Sequence, residues 1–137
     1  MLKLYCVTNV QSKELEELGI DLAGVGNSEF SNKYITCKSG ENIQHKEKNY
    51  SELTFHYWFW KNKLSSFDNN TWIGFCQKRR FWLSKQMSSK PKNLEELKKN
   101  LLKDIPREWE NFNSVICEPI GISRPRWMKL FKRGWKN

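Results

Sequence analysis

The chain has 137 residues, a net charge of +9 and only 38% hydrophobic residues, yet 14% are aromatic and seven are tryptophan. This length suits one domain (1–137), in which a fold buries roughly two-thirds of the surface its unfolded chain would expose, with aromatic side chains supplying much of the buried area. No run approaches the roughly 20 apolar residues of a membrane span. Met1–Tyr5 also lacks the apolar region and cleavage site of a signal peptide, so a cytoplasmic protein is expected.

The charge is uneven. Residues 1–70 hold 8 Lys/Arg against 9 Asp/Glu, while residues 71–137 hold 16 against 6. The second half is therefore expected to face an anion: a phosphorylated small molecule, an acidic bilayer or nucleic acid. Cys6, Cys37, Cys76 and Cys117 match no zinc or CxxC spacing and read as free thiols in a reducing compartment.

Leu2–Thr8 is a β-rich run ending at Asn9, and Ser12 offers the cap of a short helix through Leu18, closed by Gly19. From Ile20 to Lys48 glycines abound without periodicity, so loop is expected, with a strand only over 33–37. Tyr50–Leu64 turns helical. Leu53, Tyr57, Trp60 and Leu64 recur along one stripe, and Phe55, Trp58 and Phe59 widen the apolar surface until a nearly buried helix is predicted. Thr71–Cys76 is continuously apolar, as in a central strand covered on both faces and paired on both sides. Asn93 caps a helix predicted over 94–103, and Pro106 opens a short turn through Glu110. A weaker strand is expected over 114–120. Arg124–Asn137 reads as a basic helix with Trp127, Leu130, Phe131 and Trp135 on one stripe. Alternating strands and helices imply an α/β fold: a small parallel or mixed sheet with covering helices.

Two segments carry a resemblance. Ser51-Glu52-Leu53-Thr54-Phe55-His56-Tyr57-Trp58-Phe59-Trp60-Lys61-Asn62 and Trp72-Ile73-Gly74-Phe75-Cys76-Gln77-Lys78-Arg79-Arg80-Phe81 resemble the family recorded as domain of unknown function 4422. That family has a Cys-Glu-Leu-Thr element running into a Tyr-Trp-x-Trp-Lys-Asn helix, then a Tyr-Ile-Gly-Leu-x-His-Tyr-Arg-Arg strand. The resemblance spans about 2–82, with Lys3–Asn9 and Val25-Gly26 as weaker echoes, and 83–137 match poorly. It implies a glycosyltransferase-A-like fold, shorter here than its relatives, and a transferase of capsule or lipopolysaccharide synthesis. Gln77-Lys78 replace the family's His-Tyr, so no role for that histidine carries over.

On this reading Arg79 and Arg80 hold the diphosphate of a nucleotide-sugar through bidentate hydrogen bonds, beside Gln77 and with Thr8, Asn9 and Gly26 as further donor-binding residues. Glu52 is the catalytic candidate, a carboxylate placed to take a proton from an acceptor hydroxyl. Its helix-face partner His56, with Lys61 and Asn62, would support it. No Asp-x-Asp motif is present, so neither a metal nor another cofactor is expected. The partners implied are a nucleotide-sugar and a polysaccharide or lipid-linked acceptor. The alternative is a non-catalytic basic module, attached through 124–137 to the anionic inner face of the membrane. Nucleic acid is disfavoured, because no helix-turn-helix, RNP or zinc-finger pattern occurs.

Overall fold

A computed structural model describes residues 1–85 and 90–117. Its contacts form one compact unit over Met1–Arg107, and a second unit begins at Glu108. Four strands lie in the first: β1 (Leu2–Thr8), β2 (Asp21–Gly24), β3 (Tyr34–Thr36) and β4 (Trp72–Gln77). They pair in the order β3-β2-β1-β4, and every pairing is parallel.

Side chains alternate along each strand, and the two faces gather separate cores. On one face Tyr5, Val7, Ala23 and Val25 pack with Cys37 and with the helix residues Phe55, Trp58 and Phe59. On the other, Cys6, Leu22 and Tyr34 pack with Leu15, Leu18 and Leu101. This three-layer arrangement is what a parallel sheet requires, since its crossovers place helices on its faces.

The first covering helix, α1 (Lys13–Glu16), starts where the sequence indicates: the Ser12 hydroxyl accepts from the Leu15 amide. It is a single turn, anchored by Leu15 and Leu18 rather than by its own propensity. β2 lies in the stretch expected to be loop. Leu22-Ala23 is too short to display a period, and the segment becomes a strand through its ladder with β1, in which Tyr5 faces Asp21 and Thr8 faces Gly24.

The aromatic segment corrects the sequence reading. One helix over 50–64 is not formed. Instead α2 (Glu47–Tyr50) ends at Ser51, whose φ of 47° leaves the helical region, and α3 (Leu53–Asn62) begins anew. Nor is α3 nearly buried. Phe55, Trp58 and Phe59 face the sheet, whereas Leu53 and Trp60 are 55% and 58% exposed and Leu64 is also exposed. Two apolar stripes compete on this helix, and the larger aromatic surface of 55, 58 and 59 takes the core. Tyr5, Phe55, Phe59 and Phe75 then form a cluster with ring centroids 5.0–6.2 Å apart.

β4 is likewise not central. It is the edge strand of the described sheet, paired only with β1. The missing alternation arose from its two faces: Ile73 and Phe75 pack against the α3 core while Cys76 joins the other. Beyond β4 the chain doubles back, and the Trp82 indole donates to the Phe75 carbonyl at 3.0 Å.

The helix α4 (Leu94–Asn100) is capped by Asn93, which accepts from the Glu96 amide at 2.8 Å. It stops short of the predicted 103 because Leu101 turns extended to form an antiparallel bridge with Leu83, and the Leu102 amide donates to the Trp82 carbonyl. A 3-10 turn covers Arg107–Trp109, and 114–117 form no strand. Positions 118–120 of that expected strand, and the basic helix of Arg124–Asn137, lie outside the described residues. Among the described residues no helix is long and apolar enough to cross a membrane.

The two stripes of α3 are separable by mutation. Phe55→Ala is expected to cost about 3–5 kcal/mol as a cavity in the aromatic core, and Trp60→Ala about 0.5 kcal/mol or less at a surface position. Urea unfolding measures both, and a larger loss for Trp60→Ala would contradict the observed packing.

Candidate functional site

The strand order dictates where a ligand can enter. From β1 the chain moves outward through β2 to β3, then returns to the opposite side of β1 as β4. In open parallel sheets the crevice forms beyond the carboxyl ends of the strands at such a reversal, here between β1 and β4. The order 3-2-1-4 is that of the first four strands of a doubly wound nucleotide-binding sheet. Val7 faces Gln77 across this pair, and Thr8 faces Gly24 on the other side. Thr8-Asn9, Val25-Gly26 and Gln77–Arg80 therefore leave the sheet at one edge.

Each has a distinct local role. The Thr8 side chain is buried, and its hydroxyl donates to the Val10 carbonyl and accepts from the Val10 amide. That closed turn throws Asn9 out to solvent, with its carbonyl receiving the Ser28 hydroxyl at 2.8 Å. Gly26 adopts φ +80°, a backbone region costly for other residues, and a Cβ there would come within 3.3 Å of the Glu47 carboxyl carbon. Gln44 donates to the Gly26 carbonyl at 3.2 Å. Gln44, Glu47 and Ser28 thus shape this edge, and no sequence signal marks them, being isolated polar residues in aperiodic stretches.

Gln77 and Arg80 exchange both backbone hydrogen bonds, at 3.1 and 2.9 Å, making a hairpin with Lys78 and Arg79 at its tip. All four side chains are exposed. Among the described residues neither arginine is in an ion pair. A tight turn carrying three cations, with no ion-paired carboxylate among the described residues, presents a local positive field at this edge.

The start of α3 reaches the same edge. Thr54 contacts the Cys37 thiol just beyond β3, whereas Phe59, a turn and more later, stacks on Phe67 ahead of β4. The helix consequently runs against the strands, its first turn over their carboxyl ends. His56 lies flat on Phe75, ring centroids 4.2 Å apart, two residues before Gln77. Burial lowers the His56 pKa, opposed by the negative charge of Glu52 one turn nearer the edge. At the junction stands Ser51, with the one positive φ among the described non-glycine residues. Its carbonyl accepts the Thr54 hydroxyl at 2.7 Å. Strained backbone of this kind collects at ligand sites.

Lys61 and Asn62 are not brought here. Asn62 bonds the Glu41 amide and carbonyl and the Trp58 carbonyl, while Lys61 pairs with Glu41 at 3.4 Å and lies over the Trp60 ring at 4.2 Å. Both fasten the loop around Glu41 to the far end of α3. A cavity of about 460 Å³ opens at the opposite, amino edge of the sheet, beside Leu4, Leu18, Lys98 and Leu102. None of the candidate residues lines it.

The fold and edge together define an α/β domain in which the carboxyl edge of a parallel sheet, at its switch point, carries the cationic hairpin after β4 and the first turn of α3 with Glu52 and His56. The chain belongs to the family described as Domain of unknown function (DUF4422), whose sequence model matches residues 9–117. That match extends past the two aromatic motifs into α4 and the segment after it. No curated protein and no solved structure matches the chain.

Two measurements probe this edge. With its pKa depressed by burial, His56 contributes stability that is fully present above its ordinary value of 6.5 and lost as pH falls through the lower folded value. Urea midpoints should therefore fall on acidification from 6.5 down to that lower value, and His56→Phe, which keeps the ring on Phe75, should flatten the dependence. Relieving the positive φ with Ser51→Gly should raise stability by about 1 kcal/mol, and a loss instead would show that the serine side chain holds the junction.

Proposed function

We infer that this domain binds a nucleoside diphosphate-sugar at the β1/β4 crevice and transfers the sugar to a hydroxyl of a surface-polysaccharide acceptor, as the resemblance to glycosyltransferase-A-like enzymes implies. The observation that supports this reading is the parallel register of β1 and β4, which brings Asn9 and the Gln77–Arg80 hairpin to one edge of the sheet. An arginine fork grips a diphosphate through paired, charge-assisted hydrogen bonds, and Arg79 at a hairpin tip is free to turn its guanidinium inward.

In the proposed reaction the acceptor oxygen attacks the anomeric carbon as its bond to the diphosphate oxygen breaks. The diphosphate departs with the electron pair. Lys78, Arg79 and Arg80 offset the charge that develops on it. Glu52 takes the acceptor proton, one helical turn from His56, both residues being half-buried. Thr8 acts through the turn it closes, and Gly26 lets the backbone pass beneath Glu47.

Calorimetry with uridine, guanosine and thymidine diphosphates tests the reading. Arg79→Ala or Arg80→Ala should weaken binding by roughly 10- to 100-fold, as expected for losing a charge-assisted contact. Lysine at either position should restore it only in part, because a point charge lacks the planar fork. Circular dichroism checks that each variant folds. If the intact chain binds none of the three at about 1 mM, the donor site is absent and the reading fails.

A further inference from the structure

The register that builds the crevice also places two thiols side by side. Cys6 on β1 faces Cys76 on β4, and both side chains point into the core opposite α3. Adjacent strands stand about 4.8 Å apart, inside the window of about 4.4–6.8 Å that Cα atoms of a disulfide occupy. Cys6 is 0% exposed and Cys76 is partly exposed, so a small reagent meets Cys76 first. Cys37 lies buried in the other core, and Cys117 is exposed in the second unit.

We propose that Cys6 and Cys76 form a reversible oxidation site, in which a peroxide converts the two thiols into a disulfide joining β1 to β4. The Cys76 sulfur attacks one peroxide oxygen, the O–O bond breaks, and water leaves behind a sulfenic acid. Cys6 then attacks that sulfur, the S–O bond breaks, and a second water departs. Two electrons have passed from the two thiols to the peroxide, and the two thiol protons leave in the waters.

Exposure sets this division of labour: the partly exposed Cys76 meets the peroxide, and the enclosed Cys6 lies in register beside it to resolve the sulfenic acid. Parallel side chains in direct register keep their Cβ atoms near the strand spacing, somewhat wider than the about 3.8 Å a relaxed disulfide prefers. Such a bond is strained and more easily reduced than a structural one, which makes the site reversible. Gln77 follows Cys76 directly and Thr8 lies two residues past Cys6, so the bond forms beside the crevice.

The full chain, with Cys117→Ser to remove the exposed competitor, is treated with hydrogen peroxide, denatured, alkylated and weighed. The expected result is the loss of two alkylatable thiols and of the mass of two hydrogen atoms, a Cys6–Cys76 cross-linked peptide in the unreduced digest, and full reversal by dithiothreitol. Cys6→Ala in the same background should leave a Cys76 sulfenic acid that dimedone traps, because the resolving thiol is gone. Retention of both thiols under conditions that oxidise Cys117 in the unmodified chain would overturn the proposal. A cross-link through Cys37, or stable sulfinic acid at Cys76 with Cys6 still free, would overturn it as well. None of these readouts depends on nucleotide binding.

Discussion

The parallel pairing of β1 with both β2 and β4 is the constraint on which the rest of the domain depends. A strand flanked by two parallel neighbours cannot be reached by hairpins; the chain must travel back across a face of the sheet each time. Those returns are α1 on one face and the α2–α3 segment on the other, so each face acquires a cover and each cover needs an apolar surface of its own. Because all four strands point the same way, their carboxyl ends and the loops that follow share one edge. That segments as distant in sequence as Asn9, Gly26, Glu52 and Arg79 reach one edge is a consequence of that shared direction.

The face occupied by α3 depends on aromatic packing more than on chain length or hydrogen bonding. Phe55, Phe59 and Phe75 meet Tyr5 at tilted ring angles, and Phe75 meets Phe55 and Phe59 edge to face, each pair adding to the area it buries. The same cluster positions His56 and Glu52. His56 rests on Phe75 because Phe55 and Phe59 are already seated, and Glu52 follows one turn nearer the open edge. The opposite stripe of α3 stays in water, its Trp60 covered by the Lys61 ammonium. Asn62 ties the other end of the helix to the loop around Glu41, so the segment is pinned at both termini. The resemblance grouped Lys61 and Asn62 with Glu52 and His56, but they lie on opposite ends of the helix and perform different tasks.

Local patterns in the sequence determined several elements outright. β1 was legible from its β-rich run, the starts of α1 and α4 from Ser12 and Asn93, and β4 from six apolar residues bounded by turn-forming Asn69-Asn70 and by Gln77–Arg80. In each case the signal is a cap or a bounded run, whose physics acts between residues a few positions apart. The aromatic motif and the paired arginines were also sufficient to indicate the family. Tertiary structure alone decided the rest. β2 is a strand only because β1 offers a ladder, and β4 is an edge strand because lateral pairing leaves no trace in a segment whose two faces are both covered. The buried stripe of α3 was settled by competition between two apolar faces, which periodicity ranks equally and aromatic area does not. Gln44, Glu47 and Ser28 reach the carboxyl edge, and Cys6 meets Cys76, through parallel register and chain return. Such proximity arises between residues 18 to 70 positions apart, beyond the reach of any local pattern.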